Sequence, residues 1–211
     1  MRTAVVIAGG DAPDAAVRED LPEDGLFVVG ANSGAEHAAA LGLKLDVIVG
    51  DMDSIAPAAL EAHRHAEIIA YPEDKEATDL ELALALVADR DDIDRVLVLG
   101  GTGGRLDHFL ATALILASPR FTALEIEWLA HPGRATVIRG HANLHGTVGG
   151  KVSLLPVAGD VHGVRTTGLR WPLEEETLPF GTSRGVSNEF TTAVAGVAVG
   201  AGVLLAVQPY D

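Results

Sequence analysis

Two aspartates separated by one residue, Asp51 and Asp53, close the β-branched run Val47-Ile-Val-Gly-Asp51-Met-Asp53-Ser54. On an extended chain residues i and i+2 point to the same side, so both carboxylates should converge just past the end of a strand. Open α/β sheets bind their ligands at that end. Adjacent carboxylates repel unless a proton or a cation lies between them. A hard divalent ion, most simply Mg2+ with a phosphate substrate, suits such oxygen donors. The expected chemistry is metal-assisted work on a phosphate.

Two further clusters follow predicted strands. Pro72-Glu-Asp74-Lys75-Glu76-Ala-Thr78-Asp79 places Asp79 at the start of a helix, and Gly100-Gly101-Thr-Gly103-Gly104-Arg105-Leu-Asp107-His108 runs from glycines into another helix N-terminus. Glycines let backbone N–H groups approach an anion, and the helix dipole favours negative charge there. Arg105 adds a planar fork suited to phosphate. The loop Gly9-Gly10-Asp11, after the first strand, could join them on one rim. No Gly-Lys-Ser/Thr phosphate loop occurs, and no G-x-G-x-x-G fingerprint follows the first strand. Each cluster also has a plain structural reading. Asp53 could cap a helix, Asp79 is favourable at a helix start without any metal, Gly100–Gly104 could be a flexible loop, and His108 a polar contact at a helix start.

The elements that must position these residues alternate over the first 130 positions. Strands are predicted at Thr3–Ile7, Leu26–Val29, Asp46–Val49, Glu67–Ala70, Arg95–Leu99 and Leu124–Leu129. Helices are predicted at Gly34–Leu41, Pro57–Ala66, Thr78–Ala88 and Asp107–Ala117. Leu80, Ala83, Leu84 and Val87 share one helical face, and Thr78 with Glu81 makes a capping-box pattern. This alternation predicts a mostly parallel sheet flanked by helices. Beyond about residue 130 helical periodicity ends. Short runs such as Ala135–Ile138, Lys151–Leu155 and Val197–Val207 predict a second, all-β domain built as a sandwich or barrel. The boundary falls near Ala130–Gly133, giving domains 1–130 and 131–211.

Composition narrows the function classes. With 15 Lys+Arg against 30 Asp+Glu, the formal charge is −15, a surface that repels nucleic acid and anionic membranes. The absence of cysteine removes disulfides, thiolate chemistry and Cys-ligated zinc, and the eight histidines form no zincin pair. The apolar tail Thr192–Val207 carries three glycines and no flanking basic anchors, so two short strands around a glycine-rich turn are expected there rather than a membrane span. The apolar run at the start is too short for a signal peptide. A cytoplasmic protein is expected.

The motifs Gly50-Asp51-x-Asp53-Ser54, Lys75-x-x-Thr78-Asp79 and Gly103-Gly104-Arg105-x-Asp107-His108 resemble those of the thiamine pyrophosphokinase (thiamine diphosphokinase) family. Gly168-Leu169-x-Trp171-Pro172-Leu173 and Ser187-Asn188-Glu189 are similar to the family's thiamine-side segments. The resemblance implies an α/β catalytic domain, a β-sandwich for thiamine binding and dimerisation, and a homodimer with active sites between subunits. It implies that ATP and thiamine give AMP and thiamine diphosphate, by attack of the thiamine hydroxyl on the β-phosphorus. Asp51, Asp53 and Asp79 would hold Mg2+. Gly10, Asn32, Gly101, Gly104, Arg105 and His108 would contact nucleotide or phosphate, and Asp107 would organise the site. Trp171 would stack on thiamine's cationic ring, with Ser187 and Asn188 as hydrogen-bonding partners; alternatively Trp171 packs the β-domain. The chain departs from the family pattern at Asn32-Ser33-Gly34-Ala35-Glu36, where an Asp-Gly-Gly-Ala-Asn segment is usual, and at Glu76, where the family has Asp. Two other readings compete: a haloacid-dehalogenase-type phosphatase, and a non-catalytic paralogue that binds nucleotide or thiamine.

Overall fold

The computed structural model describes residues 2–103 and 105–210. Its contacts divide the chain into two compact units. The first runs to Thr112 and includes Ala123–His131; the second takes Ala113–Thr122 and the chain from Pro132 onward.

The first unit is a parallel sheet of six strands, β1 (Arg2–Ile7), β2 (Phe27–Ala31), β3 (Val47–Gly50), β4 (Glu67–Ala70), β5 (Ile93–Leu99) and β6 (Glu125–Ala130), in the order β6-β5-β1-β2-β3-β4. Every adjacent pair is parallel. Strands covered on both faces read as unbroken apolar runs, and β1 is one: Ala4, Val5, Val6 and Ile7 are all fully buried. Val5 and Ile7 point into a core with Val28, Ile48, Leu97 and Leu99. The outermost strand, β4, stays largely exposed, as an edge does.

Four helices connect these strands: α1 (Ala35–Ala38), α2 (Pro57–Ala62), α3 (Asp79–Ala88) and α4 (Leu106–Leu116). The helix predicted at Gly34–Leu41 is shorter than expected, chiefly at its C-terminal end: it stops at Ala38, and turns through Gly42 at φ +63 bring the Leu43 N–H to Ala38 O at 2.9 Å. Before the helix, a 3-10 turn spans Asn32–Gly34, with Asn32 at φ +48. The helix predicted to Ala66 stops at Ala62, where His63 leaves helical geometry. Helix α3 starts as expected: Thr78 is its N-cap and its hydroxyl accepts from the Glu81 N–H at 3.2 Å. Its buried face, including Leu80, Ala83, Leu84 and Val87, packs on β1, β2 and β3.

The second unit is an antiparallel sandwich of β7 (Gly133–Ile138), β8 (His141–His145), β9 (Lys151–Pro156), β10 (Val161–Thr167), β11 (Glu176–Leu178), β12 (Asn188–Glu189), β13 (Val194–Ala198) and β14 (Leu204–Pro209). One layer is β12-β9-β14-β7 and the other β11-β10-β13-β8. Alternate residues of both layers meet in one core, with Val152, Leu154 and Leu204 opposite Val161, Val164 and Val197. The apolar tail forms two strands around a glycine-rich turn. They are not a hairpin: β13 pairs with β8 and β10, whereas β14 pairs with β7 and β9. Among the described residues no helix is long and apolar enough to cross a membrane.

Candidate active site

The strand order sets where a site can form. From β1 the chain winds outward through β2, β3 and β4, then returns to the other side of β1 for β5 and β6. Loops at the carboxyl ends of strands on either side of such a reversal diverge and leave a crevice. The predicted clusters all emerge on that rim, after β1, β2, β3 and β5 and at the start of α3.

The acidic residues come together around one amide. Asn32 Nδ2 lies 2.8 Å from Asp51 Oδ1, 3.0 Å from Asp53 Oδ1 and 3.2 Å from Asp79 Oδ2. The amide has two hydrogens for three carboxylates, so one hydrogen is shared. Asp51 and Asp53 converge as expected, but by a different local route. The strand ends at Gly50, and the residue between the aspartates, Met52, has φ +63. A tight turn, not alternation along an extended strand, folds the two side chains together. Gly50 makes that approach possible, since a Cβ there would lie 2.9 Å from Asn32 Cβ and 3.1 Å from Asp79 Oδ1. Asp53 does not cap α2; Ala56 is the N-cap, without a side-chain bond.

Lys75 completes the cluster. Its ammonium hydrogen-bonds Asp51 and lies 3.1 Å from Asp79 Oδ1. The Lys75 ammonium, helped by Asp53, holds the Asp51 carboxyl far below the usual carboxylate range despite burial. Reciprocally, Asp51 and then Asp79 raise Lys75 above its ordinary value. The sequence motif contains Lys75, but sequence reasoning assigned it no role. Its position four residues before Asp79, in the short loop entering α3, was the available signal, because so short a separation keeps opposite charges within reach.

The glycine-rich loops behave differently from a free anion cradle. The Gly101 N–H donates to Gly9 O at 3.0 Å, and the Asp11 N–H donates to Thr102 O at 2.8 Å. These amides are committed to joining the loops after β1 and β5. The Asp11 carboxylate fills the space beside Gly103, where a Cβ would sit 2.1 Å from Asp11 Cγ. Gly10 offers its carbonyl to His37 Nε2 at 3.2 Å. Trp128 on β6 anchors the second loop through its indole N–H, 2.7 Å from Gly100 O. Gly104 lies outside the described residues. Arg105 is exposed and forks onto Asp107, with 2.6 Å from Nη2 to Oδ2; that pairing draws the Asp107 carboxyl down to about 2. His108 is exposed on the first turn of α4.

Within the sandwich, the residues expected on the thiamine side cluster together. Trp171 is 48% exposed, with the Arg170 guanidinium 4.9 Å from its ring centroid. Asn188 is buried and spends its amide on the Trp171 backbone, accepting from its N–H at 3.1 Å and donating to its C=O at 2.8 Å. Its side chain thereby fixes the Trp171 segment. Ser187 is exposed at φ +59, and its N–H donates to Ser153 Oγ at 3.0 Å.

The donor set can be tested against a divalent cation. Carboxylates from the loop after β3 and from the first residue of α3 supply hard oxygen ligands. Asn32 Oδ1 and Asp79 Oδ1 are buried without a hydrogen-bond partner; Lys75 is near the latter, though outside hydrogen-bonding geometry. Buried oxygens left in this state are ones a cation would satisfy. Among the described residues no group of three or more acidic or imidazole side chains is set to hold a metal as it stands, because the Asn32 amide and Lys75 ammonium stand between the carboxylates. The donor chemistry fits a hard cation once the ammonium gives way and the Asn32 amide, whose Nδ2 faces all three carboxylates, turns aside.

Fold and site define a class: a parallel α/β unit with a carboxylate cluster at its strand ends, joined in one chain to an antiparallel β-sandwich. Comparison with known proteins specifies it further. The family model "Thiamin pyrophosphokinase, catalytic domain" matches residues 19–128, and "Thiamin pyrophosphokinase, vitamin B1 binding domain" matches residues 141–204. The chain belongs to the thiamin pyrophosphokinase family. It is 24% identical over 224 residues to the thiamine pyrophosphokinase of Bacillus subtilis (strain 168), with 100% of both chains covered. It is 31% identical over 157 residues to thiamine pyrophosphokinase 1 of Oryza sativa subsp. japonica, covering 69% of this chain and 59% of that protein. Among solved structures, the Bacillus subtilis protein superposes with a TM-score of 0.86 at 22% identity, both chains being fully covered. That of Candida albicans superposes with a TM-score of 0.75 at 13% identity, covering 98% and 90%; likeness at such identity speaks to the fold. Neither the phosphatase nor the non-catalytic reading is favoured by these relatives.

Proposed function

We propose that this chain transfers a pyrophosphoryl group from ATP to the hydroxyl of thiamine, releasing AMP and thiamine diphosphate. Family membership supports the reaction, and the observation that carries it to particular residues is the convergence of Asp51, Asp53 and Asp79 on one point. The thiamine oxygen bonds to the β-phosphorus as the bond from that phosphorus to the α,β-bridging oxygen breaks. AMP leaves with the oxygen, and the hydroxyl proton passes to solvent. Transfers of this kind depend on positioning and on neutralising phosphate charge.

Asp51, Asp53 and Asp79 would hold a divalent cation, Mg2+ in the simplest case, which supplies that neutralisation. Arg105 offers an exposed guanidinium to the phosphates in exchange for Asp107. Gly10, Asn32, Gly101 and His108 line the nucleotide side, a role the motif also gives to Gly104, which lies outside the described residues. On the sandwich, the open area of Trp171 takes the flat cationic ring of thiamine, Asn188 holds the Trp171 backbone in place, and Ser187 supplies a hydroxyl. The working form is a homodimer, in keeping with Leu106, Leu110 and Leu114 exposed along one stripe of α4. ATP and free thiamine as substrates suit a cytoplasmic enzyme.

Purified protein with Mg2+, ATP and thiamine should yield AMP and thiamine diphosphate in equal amounts by chromatography. Asp53→Asn should lower turnover by orders of magnitude with the circular dichroism spectrum unchanged. ADP as the product, or full activity of the variant, would refute the assignment.

A further inference from the structure

The cluster proposed to take a cation is already closed by one belonging to the chain. Lys75 pairs with Asp51 and Asp79, and its side chain is only 12% exposed. A divalent ion held by those same oxygens would meet the ammonium at contact distance, where like charges repel strongly. Both cannot hold the position together. The ammonium sits on a flexible four-carbon stem, so it can leave while its backbone stays. Its backbone is four residues ahead of Asp79, in the loop leading into the Thr78 cap of the ten-residue helix α3. Phosphate oxygens are favoured at a helix N-terminus, so the released ammonium has an anionic partner nearby once a nucleotide is present. The buried Asn32 Oδ1, which has no hydrogen-bond partner, is a second sign that the Lys75-closed arrangement is a resting state.

We infer that Lys75 is an exchangeable counter-ion. It neutralises Asp51 and Asp79 in the empty site, yields its place to the divalent cation, and then binds a phosphate oxygen of the nucleotide that arrives with that cation. The inference rests on the proposed metal role of the cluster. Its consequence is a preference in loading. Bare metal must displace Lys75 without compensation and binds weakly, whereas the metal–nucleotide complex supplies the ammonium with a new partner.

The test measures Mn2+ binding in the absence of nucleotide, by paramagnetic resonance of the free ion, for the intact chain, Lys75→Met and Lys75→Arg. Binding of Mn2+ with α,β-methylene-ATP is then measured by calorimetry. Lys75→Met should bind bare Mn2+ about tenfold tighter than the unaltered protein and the metal–nucleotide complex more weakly. Lys75→Arg should stay within about threefold of the unaltered protein for bare Mn2+, because it keeps the charge. A lysine that only props the loop would weaken both ligands on removal. Equal or weaker Mn2+ binding by Lys75→Met overturns the inference and leaves the metal role standing. No Mn2+ binding by any of the three proteins overturns both. A cooperative thermal transition in each variant verifies folding.

Discussion

At the residue scale the decisive pair is Asp51 with Lys75. Asp51 titrates below its unfolded value of about 4. Its contribution to stability is therefore fully present above about pH 4 and is lost as the pH falls through the depressed folded value. Lys75 titrates above its unfolded value of about 10.4, so its contribution is present below that pH and disappears as the pH rises through the folded value. The pair stabilises the fold across neutral pH and weakens it at both extremes. Replacing Lys75 with Met should flatten the acid arm, so that melting temperature between pH 4 and pH 2 declines less steeply than in the unaltered protein. Equal slopes would show that Asp51 draws its stabilisation from elsewhere. Asp51 and Asp53 were legible as a pair because their spacing is local. Asn32 as their hub was not, since its bond to Asp79 spans 47 positions.

At the element scale the site depends on how closely the loops after β2 and β3 approach the start of α3. Gly50→Ala would set a methyl 2.9 Å from Asn32 Cβ, and overpacking of that order costs about 1–3 kcal/mol. The denaturation midpoint should fall accordingly, with transfer activity falling as well. Gly140→Ala, where an added Cβ meets nothing within 4 Å, should stay within about 0.5 kcal/mol. A midpoint for Gly50→Ala equal to that control would mean that the loops relax freely. Most elements were readable from periodicity and caps. Thr78 before α3 is the clearest case, because a cap is a contact between residues three apart. The helix after β2 was overestimated because the apolar pattern runs on to Leu41, whereas the backbone leaves the helix after Ala38 and reaches a left-handed turn at Gly42.

At the scale of the whole molecule, the change of character near residue 130 was readable, since helical periodicity stops there. The units drawn by contacts are not contiguous in sequence: Ala113–Thr122 joins the second. The exposed leucines of α4 bear on the assembled state. Sedimentation should report twice the chain mass, and Leu110→Glu, which puts a charge on that stripe, should shift the population toward monomer. A monomer with full activity would refute the proposed dimer.

The sequence by itself determined the alternation of strands and helices, the all-β second half, the three acidic and glycine-rich motifs and, through them, the family. These are local properties, set by the pleat, the helical repeat and the residues flanking each turn. Only the tertiary structure decided what those motifs do to one another. It places β13 and β14 in opposite layers, commits the Gly101 N–H to Gly9, and fills the centre of the carboxylate cluster with Asn32 and Lys75. Such outcomes depend on which distant segments the sheet order makes neighbours. The Asp51-x-Asp53 spacing raises the expectation of a cation, and in the folded chain the Lys75 ammonium pairs with Asp51 and Asp79.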